Sequence, residues 1–331
     1  MAEPGPRNLI TDVKGVSVGN AEDRVALTGT TVVLPSAPAT AAVDVRGGGP
    51  GTRETDLLGP AATVEQVNAI TLSGGSAFGL DAASGVTAWL AAHRRGFEVK
   101  GAIVPIVPAA ILFDLANGGD KNWGVTPPYR DLGFAAAEAA GPIFALGNAG
   151  AGLGATAGSL KGGLGSASLV LEDGTTVGAL AAVNAMGSVT FPGSDVFYAW
   201  PFERDGEYGA RRPAGDIRAH DLDVPAPNEA GANTTLACIA TDAALSRAQC
   251  QRVAVMAQDG LARAIRPVHS PLDGDTVFVL ATGEGTLADP LIDLARIGTA
   301  AADCLARACA RGVFEAETIG ALTGYRDRYL G

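Results

Sequence analysis

The sequence predicts an α+β fold in which helices cover β-sheets. Runs of β-branched and other apolar residues indicate strands, and the dipeptide Asp173-Gly174 between two such runs is typical of a hairpin turn. Longer stretches with apolar residues at helical spacing stand between the groups of strands. Because the order is strands, helix, strands, helix, with hairpins, we expect layers of helices packed on sheets.

The first part of the chain is expected to contain four strands, two helices and one hairpin. The strands are predicted at residues 29–35, 40–46, 68–73 and 101–107. The stretch SAFGLDAASGVTAWLAAHRR, which follows Gly74-Gly75, is rich in small residues and predicts a buried helix. A second helix is predicted at 131–141, and the hairpin at 169–187.

A second block of regular structure is predicted from residue 234 onward. It runs from the strand TTLACIATD through a helix at about 245–265 and a strand at 275–281 to a helix at 289–311. The first of these strands is continuously apolar, so we expect it in the centre of a sheet. Residues 188–230, by contrast, lack periodicity and are rich in Pro, Gly, Asp and Arg, which is typical of an exposed loop or linker.

The chain is acidic, and its charge excludes several classes of partner. It has 331 residues, of which 47% are hydrophobic, and a net charge of −11, which is compatible with one large domain. Nucleic acids and anionic membranes require clustered Lys and Arg, but the longest basic runs here are the pairs Arg94-Arg95 and Arg211-Arg212. No segment has about 20 uninterrupted apolar residues. We therefore expect neither a nucleic-acid nor a membrane partner.

Cysteine and histidine usage predicts a reduced protein without a metal centre. The chain has four cysteines: Cys238, Cys250, Cys304 and Cys309. No CxxC pair occurs, and the first fifteen residues lack the features of a secretory signal, so we expect packed thiols and a cytoplasmic location. The chain has three histidines: His93, His220 and His269. Their spacing fits no metal-binding pattern, and no metal is expected.

Three glycine-rich stretches raise the alternative of nucleotide binding. They are RGGGPGTRETD (46–56), LSGGSAFGLD (72–81) and GNAGAGLGATAGSLKGGLGSAS (147–168). The second stands between a predicted strand and a predicted helix, but it lacks the GxGxxG spacing, and no βαβ unit with a ribose-binding acid follows. The third lacks the GKS or GKT of a phosphate loop. Close backbone packing and tight turns are the favoured interpretation, and no cofactor is expected.

Two residues are candidates for chemistry on the pattern alone. Lys161 is one of four lysines and lies among small residues, where an ammonium is often fixed in place. No GxSxG motif or convincing histidine base is present, but a threonine at a chain terminus can use its own α-amine as the base, since that amine has a pKa of about 7.7–8.0. Thr234 follows the small residues GAN and begins a predicted buried strand, so cleavage before it would create such a terminus. An ordinary threonine at the start of a strand is the alternative interpretation.

The segment ANTTLACIATD resembles the cleavage region of the self-processing aminopeptidases. This family includes L-aminopeptidase/D-esterases, β-peptidyl aminopeptidases and nylon-oligomer (6-aminohexanoate oligomer) endohydrolases. Further motifs similar to those of the family occur in order along nearly the whole chain: DVKGVSVGNAED, AAVDVRGGGPGTRETDLL, AITLSGGSAFGLDAASGV, PIVPAAILFDL, GATAGSLKGGLGSAS, AAVNAMGSV and HSPLDGDTVF.

This resemblance implies a fold and an assembly. The expected fold is a four-layer α/β/β/α sandwich, formed by a single catalytic domain of residues 1–331. The chain would cut itself between Asn233 and Thr234 into an α chain, 1–233, and a β chain, 234–331. The resemblance further implies a homo-oligomer, a tetramer of α/β heterodimers, that acts on small-molecule or peptide substrates.

The resemblance also implies roles for five side chains: Thr234, Lys161, Asn184, Asp273 and Asp275. The hydroxyl of Thr234 would attack the carbonyl of Asn233 in self-cleavage and, after its α-amine is freed, would attack substrate amides. The amide of Asn184, in AVNAMG, would donate to the oxyanion. Lys161 would support charge near the nucleophile, and the two aspartates would hold and orient the ammonium form of the threonine.

One position departs from the pattern of the family. Relatives can carry a tyrosine in the segment that reads ILFDL here, where this chain has Phe113 followed by Asp114. A phenyl ring cannot donate a hydrogen bond, so a tyrosine's contact with the oxyanion or the amine is missing or moved. The Asn-Thr-Thr junction, Lys161 and Asp-Gly-Asp favour the oligomer hydrolases. Phe113 and its surroundings favour the L-aminopeptidase/D-esterases, and the sequence leaves both branches open.

Two functions of other classes are kept as alternatives. Ornithine acetyltransferases also use a self-generated N-terminal threonine on a related fold, so acyl transfer is one of them. The other is a non-catalytic, glycine-rich binding protein that takes a nucleotide.

Overall fold

Two β-sheets and the helices that cover them form the computed structural model, which describes residues 2–215, 233–283 and 286–331. The strands in chain order are β1 (Val16–Asp23), β2 (Thr28–Pro35), β3 (Ala39–Val45), β4 (Gly51–Arg53), β5 (Gln66–Val67), β6 (Ile70–Ser73), β7 (Phe97–Val99), β8 (Ala102–Val104), β9 (Ala109–Ile111), β10 (Thr156–Ala157), β11 (Leu160–Lys161), β12 (Gly163–Val170), β13 (Thr176–Val183), β14 (Leu236–Thr241) and β15 (Thr276–Ala281). The α-helices are α1 (Ala82–Ala92), α2 (Tyr129–Glu138), α3 (Arg247–Ala264), α4 (Pro290–Glu315) and α5 (Tyr325–Tyr329).

The first sheet has five strands in the order β1-β2-β6-β9-β4, of which only β6 and β9 are paired in parallel. Helices α1 and α2 cover one of its faces. Val32 and Leu34 of β2 pack there against Val86 and Leu90 of α1. Because successive side chains of a strand alternate between faces, Val33 points to the opposite side.

The second sheet has six strands in the order β12-β13-β14-β15-β3-β5. Its central pair, β14 and β15, is parallel, with Leu236 opposite Thr276, and its other pairs are antiparallel. Every residue of β14 is buried, which confirms the prediction that this apolar strand is central. On the outer face, Ile239 and Val279 belong to a core formed with α3 and α4.

The inner faces of the two sheets share a third hydrophobic core. Val33 and Leu72 come from the five-stranded sheet, and Leu180, Cys238 and Phe278 come from the six-stranded sheet. All five side chains are buried. Fully burying a side chain of this size stabilises the fold by roughly 1.5–3 kcal/mol, so the packing of sheet against sheet is a main source of stability.

Side-chain caps fix where the two long C-terminal helices begin. The hydroxyl of Ser246 accepts a hydrogen bond from the backbone N–H of Gln249 in a capping box at the start of α3. The carboxylate of Asp289 accepts from the backbone N–H groups of Leu291 and Ile292 at the start of α4, where Pro290 occupies the first position.

The glycine-rich stretches serve close backbone packing, as predicted. A Cβ on Gly165 of β12 would lie 1.9 Å from the carbonyl oxygen of Ala308 in α4, so only glycine lets this helix approach the strand. A Cβ on Gly47 would lie 2.2 Å from the backbone nitrogen of Asp275. The first and third stretches therefore bring distant segments of backbone together.

Two predictions about regular structure need correction. The strand predicted at 101–107 is shorter, since only β8 (Ala102–Val104) falls within it and pairs with β7 in a small hairpin, while β9 of the five-stranded sheet begins beyond it at Ala109. The loop predicted at 188–230 is largely irregular in its described part, 188–215, as expected, but it is not exposed throughout, because Phe197 and Tyr208 are buried and Phe197 stacks on Tyr325. These aromatic side chains anchor the segment to the core although its sequence has no helical or strand periodicity. The remainder, 216–230, lies outside the described residues.

The four cysteines are buried as free thiols, as predicted. Burial raises the pKa of the Cys250 and Cys304 thiols to about 12, which keeps them protonated near neutral pH. In the parts of the chain that the structure describes, no helix has both the length and the apolar character needed to cross a membrane.

Candidate active site

The residues Asn233 and Thr234 lead directly into the central strand β14. The hydroxyl of Thr234 donates a hydrogen bond to the carbonyl oxygen of Asn233 at 2.5 Å. Its backbone N–H donates to the carbonyl oxygen of Asn184, also at 2.5 Å. The threonine is buried, and its hydroxyl lies against the peptide bond that precedes it. Residues 231 and 232 of the GANTT segment lie outside the described residues.

Asn184 follows β13 and is held through its side chain. Its Oδ1 accepts from the backbone N–H of Thr156 at 2.9 Å, and its Nδ2 donates to the carbonyl oxygen of Phe113 at 3.0 Å. Its main-chain carbonyl also accepts from the N–H of Thr234, so Asn184 is held next to this threonine by contacts of both its side chain and its main chain.

Asp275 precedes β15 and contacts the residue after the threonine. Its Oδ1 accepts from the backbone N–H of Thr235 at 2.9 Å. Its Oδ2 accepts from the backbone N–H of His269 at 3.0 Å and from the ring Nδ1 of His269 at 2.8 Å. Because β14 and β15 are adjacent and parallel, the loops that precede them meet at one edge of the sheet.

Asp273 lies at the same edge but has different partners. Its Oδ2 accepts from the hydroxyl of Ser270 at 2.5 Å, and its Oδ1 accepts from the backbone N–H of Met186 at 3.3 Å. Burial, reinforced by the negative charge of Asp275, raises the pKa of the Asp273 carboxyl above its ordinary value.

The first glycine-rich stretch supports the loop that carries both aspartates. The N–H of Gly48 donates to the carbonyl oxygen of Ser270 at 3.2 Å, and the N–H of Gly49 donates to that of Asp273 at 2.8 Å. The N–H of Arg46 donates to the carbonyl oxygen of Asp275 at 3.0 Å. These N–H groups donate to carbonyl oxygens of the protein's own backbone, which agrees with a role of this stretch in close packing.

Lys161 is fully buried, but its ammonium does not contact the threonine. Its Nζ donates to the carbonyl oxygens of Gly152 and Gly162, both at 2.8 Å. Burial lowers the pKa of Lys161 to about 7, and the negative charge of Asp114 partly opposes this shift. Lys161 is paired with Thr156 in the β10–β11 hairpin, and the backbone N–H of Thr156 donates a hydrogen bond to the side chain of Asn184. The lysine is therefore connected to the site indirectly, through Thr156.

A cavity of about 240 Å³ opens beside Asn233, the residue before Thr234. It is lined by Phe113, Asp114, Ala116, Asn117, Gly154, Thr156, Gly158, Asn184, Ala185, Met186, Asn233 and Leu322. Asp114 is the one titratable residue in this lining. Its carboxylate accepts from the hydroxyl of Thr28 at 2.6 Å and the N–H of Gly75 at 2.8 Å, and burial raises its pKa. Since Phe113 also lines the cavity, the departure from the family's tyrosine falls inside the candidate site.

Of the five predicted residues, Asn184 contacts Thr234 through its main-chain carbonyl and Asp275 contacts Thr235. Asp273 lies in the same loop as Asp275 but contacts Ser270 and Met186, and Lys161 is linked to Asn184 through Thr156. Sequence reasoning missed His269 and Ser270, which hold Asp275 and Asp273. Both lie in the HSPLDGD motif with the aspartates, but the histidines were considered only for metal spacing and for pairing with a nucleophile. A serine and a histidine three to six residues from two acids in one turn were the available signal.

Comparisons with known proteins place the chain among amide hydrolases. The sequence profile described as peptidase family S58 matches residues 8–327. An uncharacterized aminopeptidase of Mycobacterium tuberculosis is 47% identical over 345 residues, covering 98% of this chain and 98% of the relative. A 6-aminohexanoate-oligomer endohydrolase of Paenarthrobacter ureafaciens is 33% identical over 292 residues, covering 85% of this chain and 76% of the relative.

A solved structure is similar in fold. It is an L-aminopeptidase D-Ala-esterase/amidase from Ochrobactrum anthropi, described as a variant of the Ntn hydrolase fold. The TM-score is 0.73 and the identity is 21%, over 97% of this chain and 89% of that one. At this identity the likeness shows a shared fold, and the mixed α/β architecture described above is that fold.

Proposed function

Since the chain belongs to peptidase family S58 and is a hydrolase that acts on amide bonds, we propose that it is an N-terminal threonine hydrolase that first cuts itself between Asn233 and Thr234. The observation that carries this proposal is the hydrogen bond of 2.5 Å from the Thr234 hydroxyl to the Asn233 carbonyl oxygen. The attacking hydroxyl therefore already lies against the carbonyl group that it would attack.

The proposed maturation is an N-to-O acyl shift followed by hydrolysis. The oxygen of the Thr234 hydroxyl attacks the carbonyl carbon of Asn233, the C–N bond breaks, and the nitrogen takes up the hydroxyl proton. Water then cleaves the resulting ester, which returns the hydroxyl to Thr234 and leaves a carboxyl group on Asn233. The products are an α chain of residues 1–233 and a β chain of residues 234–331, which remain one catalytic domain.

In the mature enzyme, the freed α-amine of Thr234 serves as the general base. Its ordinary pKa, about 7.7–8.0, allows it to accept the hydroxyl proton near neutral pH. Attack on a substrate amide gives an acyl-enzyme, which water releases. The Asn184 amide, held by Phe113 and Thr156, stabilises the developing oxyanion.

The remaining site residues act on the charge and orientation of the threonine. Asp275 fixes the backbone N–H of the following residue, Thr235, and Asp273 lies one glycine away with a raised pKa. Together they hold the ammonium form of Thr234. Burial lowers the pKa of Lys161 to about 7. This lysine, which is paired with Thr156 in the β10–β11 hairpin, supports charge near the nucleophile.

The proposed architecture is a four-layer α/β/β/α sandwich. Three hydrophobic cores support this order: one between α1, α2 and the five-stranded sheet, one between the sheets, and one between the six-stranded sheet and α3, α4. The buried thiols agree with a cytoplasmic location, and the proposed assembly is a tetramer of α/β heterodimers.

Linear amides are the proposed substrates, either short peptides or 6-aminohexanoate oligomers. The relative with 47% identity, which is matched over nearly its whole length, is named an uncharacterized aminopeptidase, and the relative with 33% identity is named a 6-aminohexanoate-oligomer endohydrolase. The cavity of about 240 Å³ is small and agrees with a short substrate segment. Aminopeptidase action on short peptides is therefore the leading candidate, and oligomer hydrolysis is the second.

The proposal is tested first by denaturing electrophoresis and intact mass of the purified protein. We expect two fragments, one ending at Asn233 and one starting at Thr234. Thr234→Ala should remain uncut and lose activity by roughly a thousandfold or more, whereas Thr234→Ser, which keeps a hydroxyl, should still be cut. A wild-type preparation that is fully active as one intact band of about 33 kDa would contradict the proposal.

The substrate class is tested with a panel. Amino-acid p-nitroanilides and linear 6-aminohexanoate oligomers are compared by kcat/KM on the same preparation. Faster release from the p-nitroanilides supports the aminopeptidase, and internal cleavage of the oligomers supports the endohydrolase. Acetyl transfer to glutamate that exceeds hydrolysis would instead favour the acyl-transfer alternative.

A further inference from the structure

His269 makes a two-point contact with the carboxylate of Asp275. Its backbone N–H and its ring Nδ1 both lie within hydrogen-bond distance of Oδ2, at 3.0 and 2.8 Å. A carboxylate oxygen of this kind accepts, so Nδ1 carries the proton and donates it. Two donors on one oxygen oppose rotation of the carboxylate about the Cβ–Cγ bond, and they leave Oδ1 directed at the backbone N–H of Thr235.

The contact continues to the threonine of the candidate site. Asp275 Oδ1 holds the N–H of Thr235 at 2.9 Å, and Thr235 is bonded covalently to Thr234. On the other side, the N–H of Thr234 is held by Asn184. The backbone of the two threonines is therefore fixed at two successive N–H groups, and the second of these depends on the carboxylate that His269 holds.

His269 is partly exposed and has an uncommon backbone conformation. Its side chain is 22% exposed, whereas that of Asp275 is 2% exposed, so burial of the ring is incomplete. Its φ is +55°, in the left-handed region that a residue other than glycine adopts at a free-energy cost of about 1–3 kcal/mol. Strained backbone of this kind is concentrated at functional sites, where the surrounding contacts maintain it.

We propose that His269 is a positioning residue of this hydrolase: its Nδ1–H orients the Asp275 carboxylate, which fixes the Thr235 N–H and thereby the attack geometry of Thr234. This proposal rests on the proposed function for its effect on catalysis. The contacts from the imidazole to the carboxylate and from the carboxylate to the Thr235 amide can be tested without measuring enzyme activity.

The test compares His269→Asn with His269→Gly. Both residues tolerate a positive φ, but only asparagine retains an N–H donor near the position of Nδ1. We expect the glycine variant to lose about 10- to 100-fold in kcat, as for other residues that orient a catalytic group, with KM changed much less. The asparagine variant should recover most of this loss, and the rate of self-cleavage should follow the same order.

Hydrogen–deuterium exchange at the Thr235 amide supplies the readout that does not need activity. It should be faster in the glycine variant than in the wild type and should return toward the wild-type rate in the asparagine variant. If the glycine variant does not fold, His269→Asp replaces it. Aspartate matches asparagine in shape and in tolerance of positive φ, but its side chain has no N–H donor.

The outcomes are separable. A wild-type protein without self-cleavage or amide hydrolysis overturns the proposed function, while the exchange measurement still decides whether His269 orders the Thr235 amide. Equal kcat and equal Thr235 exchange in the asparagine variant and the donor-free variant would overturn the role of His269, whatever the activity of the wild type.

Discussion

Gly274 lies so close to Thr234 that a Cβ on this glycine would stand 2.6 Å from the threonine Oγ. The same Cβ would lie 2.8 Å from the carbonyl oxygen of Gly49, which is backbone and cannot rotate away. The glycine between the two aspartates therefore leaves the space that the hydroxyl occupies.

We expect Gly274→Ala to slow self-cleavage and to lower kcat by at least tenfold, because either the hydroxyl or the loop must move. The matched control is Gly141→Ala, since a Cβ on Gly141 meets no atom within 4 Å. Rates of fragment appearance and of amide hydrolysis measure both variants. A Gly274→Ala protein that is cut and active at the wild-type rate would show that the hydroxyl has room to spare.

Asn184→Ala should reduce kcat with little change in KM. Loss of one oxyanion donor typically lowers kcat by about 100- to 1000-fold, and a group that acts mainly in the transition state leaves substrate binding nearly unchanged. Thr156→Ala is the control, because it removes a hydroxyl 3.3 Å from Asn184 Oδ1 but keeps the backbone donor at 2.9 Å. Equal losses in the two variants would assign the effect to general damage of the loop.

Lys161 should make stability rise with pH above neutrality. Its pKa is lowered to about 7 in the folded protein, whereas the unfolded chain keeps this proton up to about pH 10.4. Between these values the unfolded state binds more protons, so the free energy of unfolding increases with pH. Relative to Lys161→Met, the wild-type lysine should gain roughly 2 kcal/mol between pH 7 and pH 9.

This measurement is made by urea unfolding in the uncut Thr234→Ala background, so that a single chain unfolds. Lys14→Met, at an exposed lysine, is the control and should show no comparable pH-dependent difference. A difference between wild type and Lys161→Met that stays constant or shrinks as the pH rises would be contrary to a lowered pKa.

Glu207 and Arg307 form a buried ion pair that joins the two proposed chains. Arg307 Nε donates to Glu207 Oε1 at 2.6 Å, and the side chains are 1% and 7% exposed. Removing one partner of a buried pair leaves an uncompensated charge and costs about 3–5 kcal/mol. We therefore expect Glu207→Gln to lower the free energy of unfolding by about 3 kcal/mol.

The control for this pair is Glu315→Gln. The Glu315 side chain is 36% exposed, and its ion-pair partner, Arg326, lies 3.6 Å away. Its effect should stay below about 1 kcal/mol. Chemical unfolding in the Thr234→Ala background compares the two variants. Equal destabilisation by both would mean that burial of the Glu207 pair has no special consequence.

The regular core of the fold could be predicted because its residues carry strong local patterns. The continuous apolar run before Asp242 indicated a central strand, and β14 is buried throughout. The hairpin at Asp173-Gly174 was also predicted, but its first strand begins earlier than expected, at Gly163. The many glycines in that stretch hide the pattern by which a strand is recognised in a sequence. The packing of α4 against that strand explains the glycines, and such a contact between distant segments has no local signature.

The candidate site was predictable to the extent that its motifs resemble those of a family. Residue types and spacing alone made Thr234 and Lys161 candidates, and the resemblance added Asn184, Asp273 and Asp275. The pairing of His269 with Asp275 was not predicted, because it depends on a loop that folds back within one turn. The buried position of Lys161 on two backbone carbonyls was equally unreadable from the sequence.

The central position of β14 has a consequence for the order of events in time. Thr234 meets Asn184 only when β13 lies on one side of β14, and Thr235 meets Asp275 only when β15 lies on the other. Self-cleavage as proposed must therefore wait until all three strands have assembled. The broken bond would then be a permanent covalent mark of successful folding, and the ratio of cut to uncut chains in a cell would count the molecules that had reached the native state.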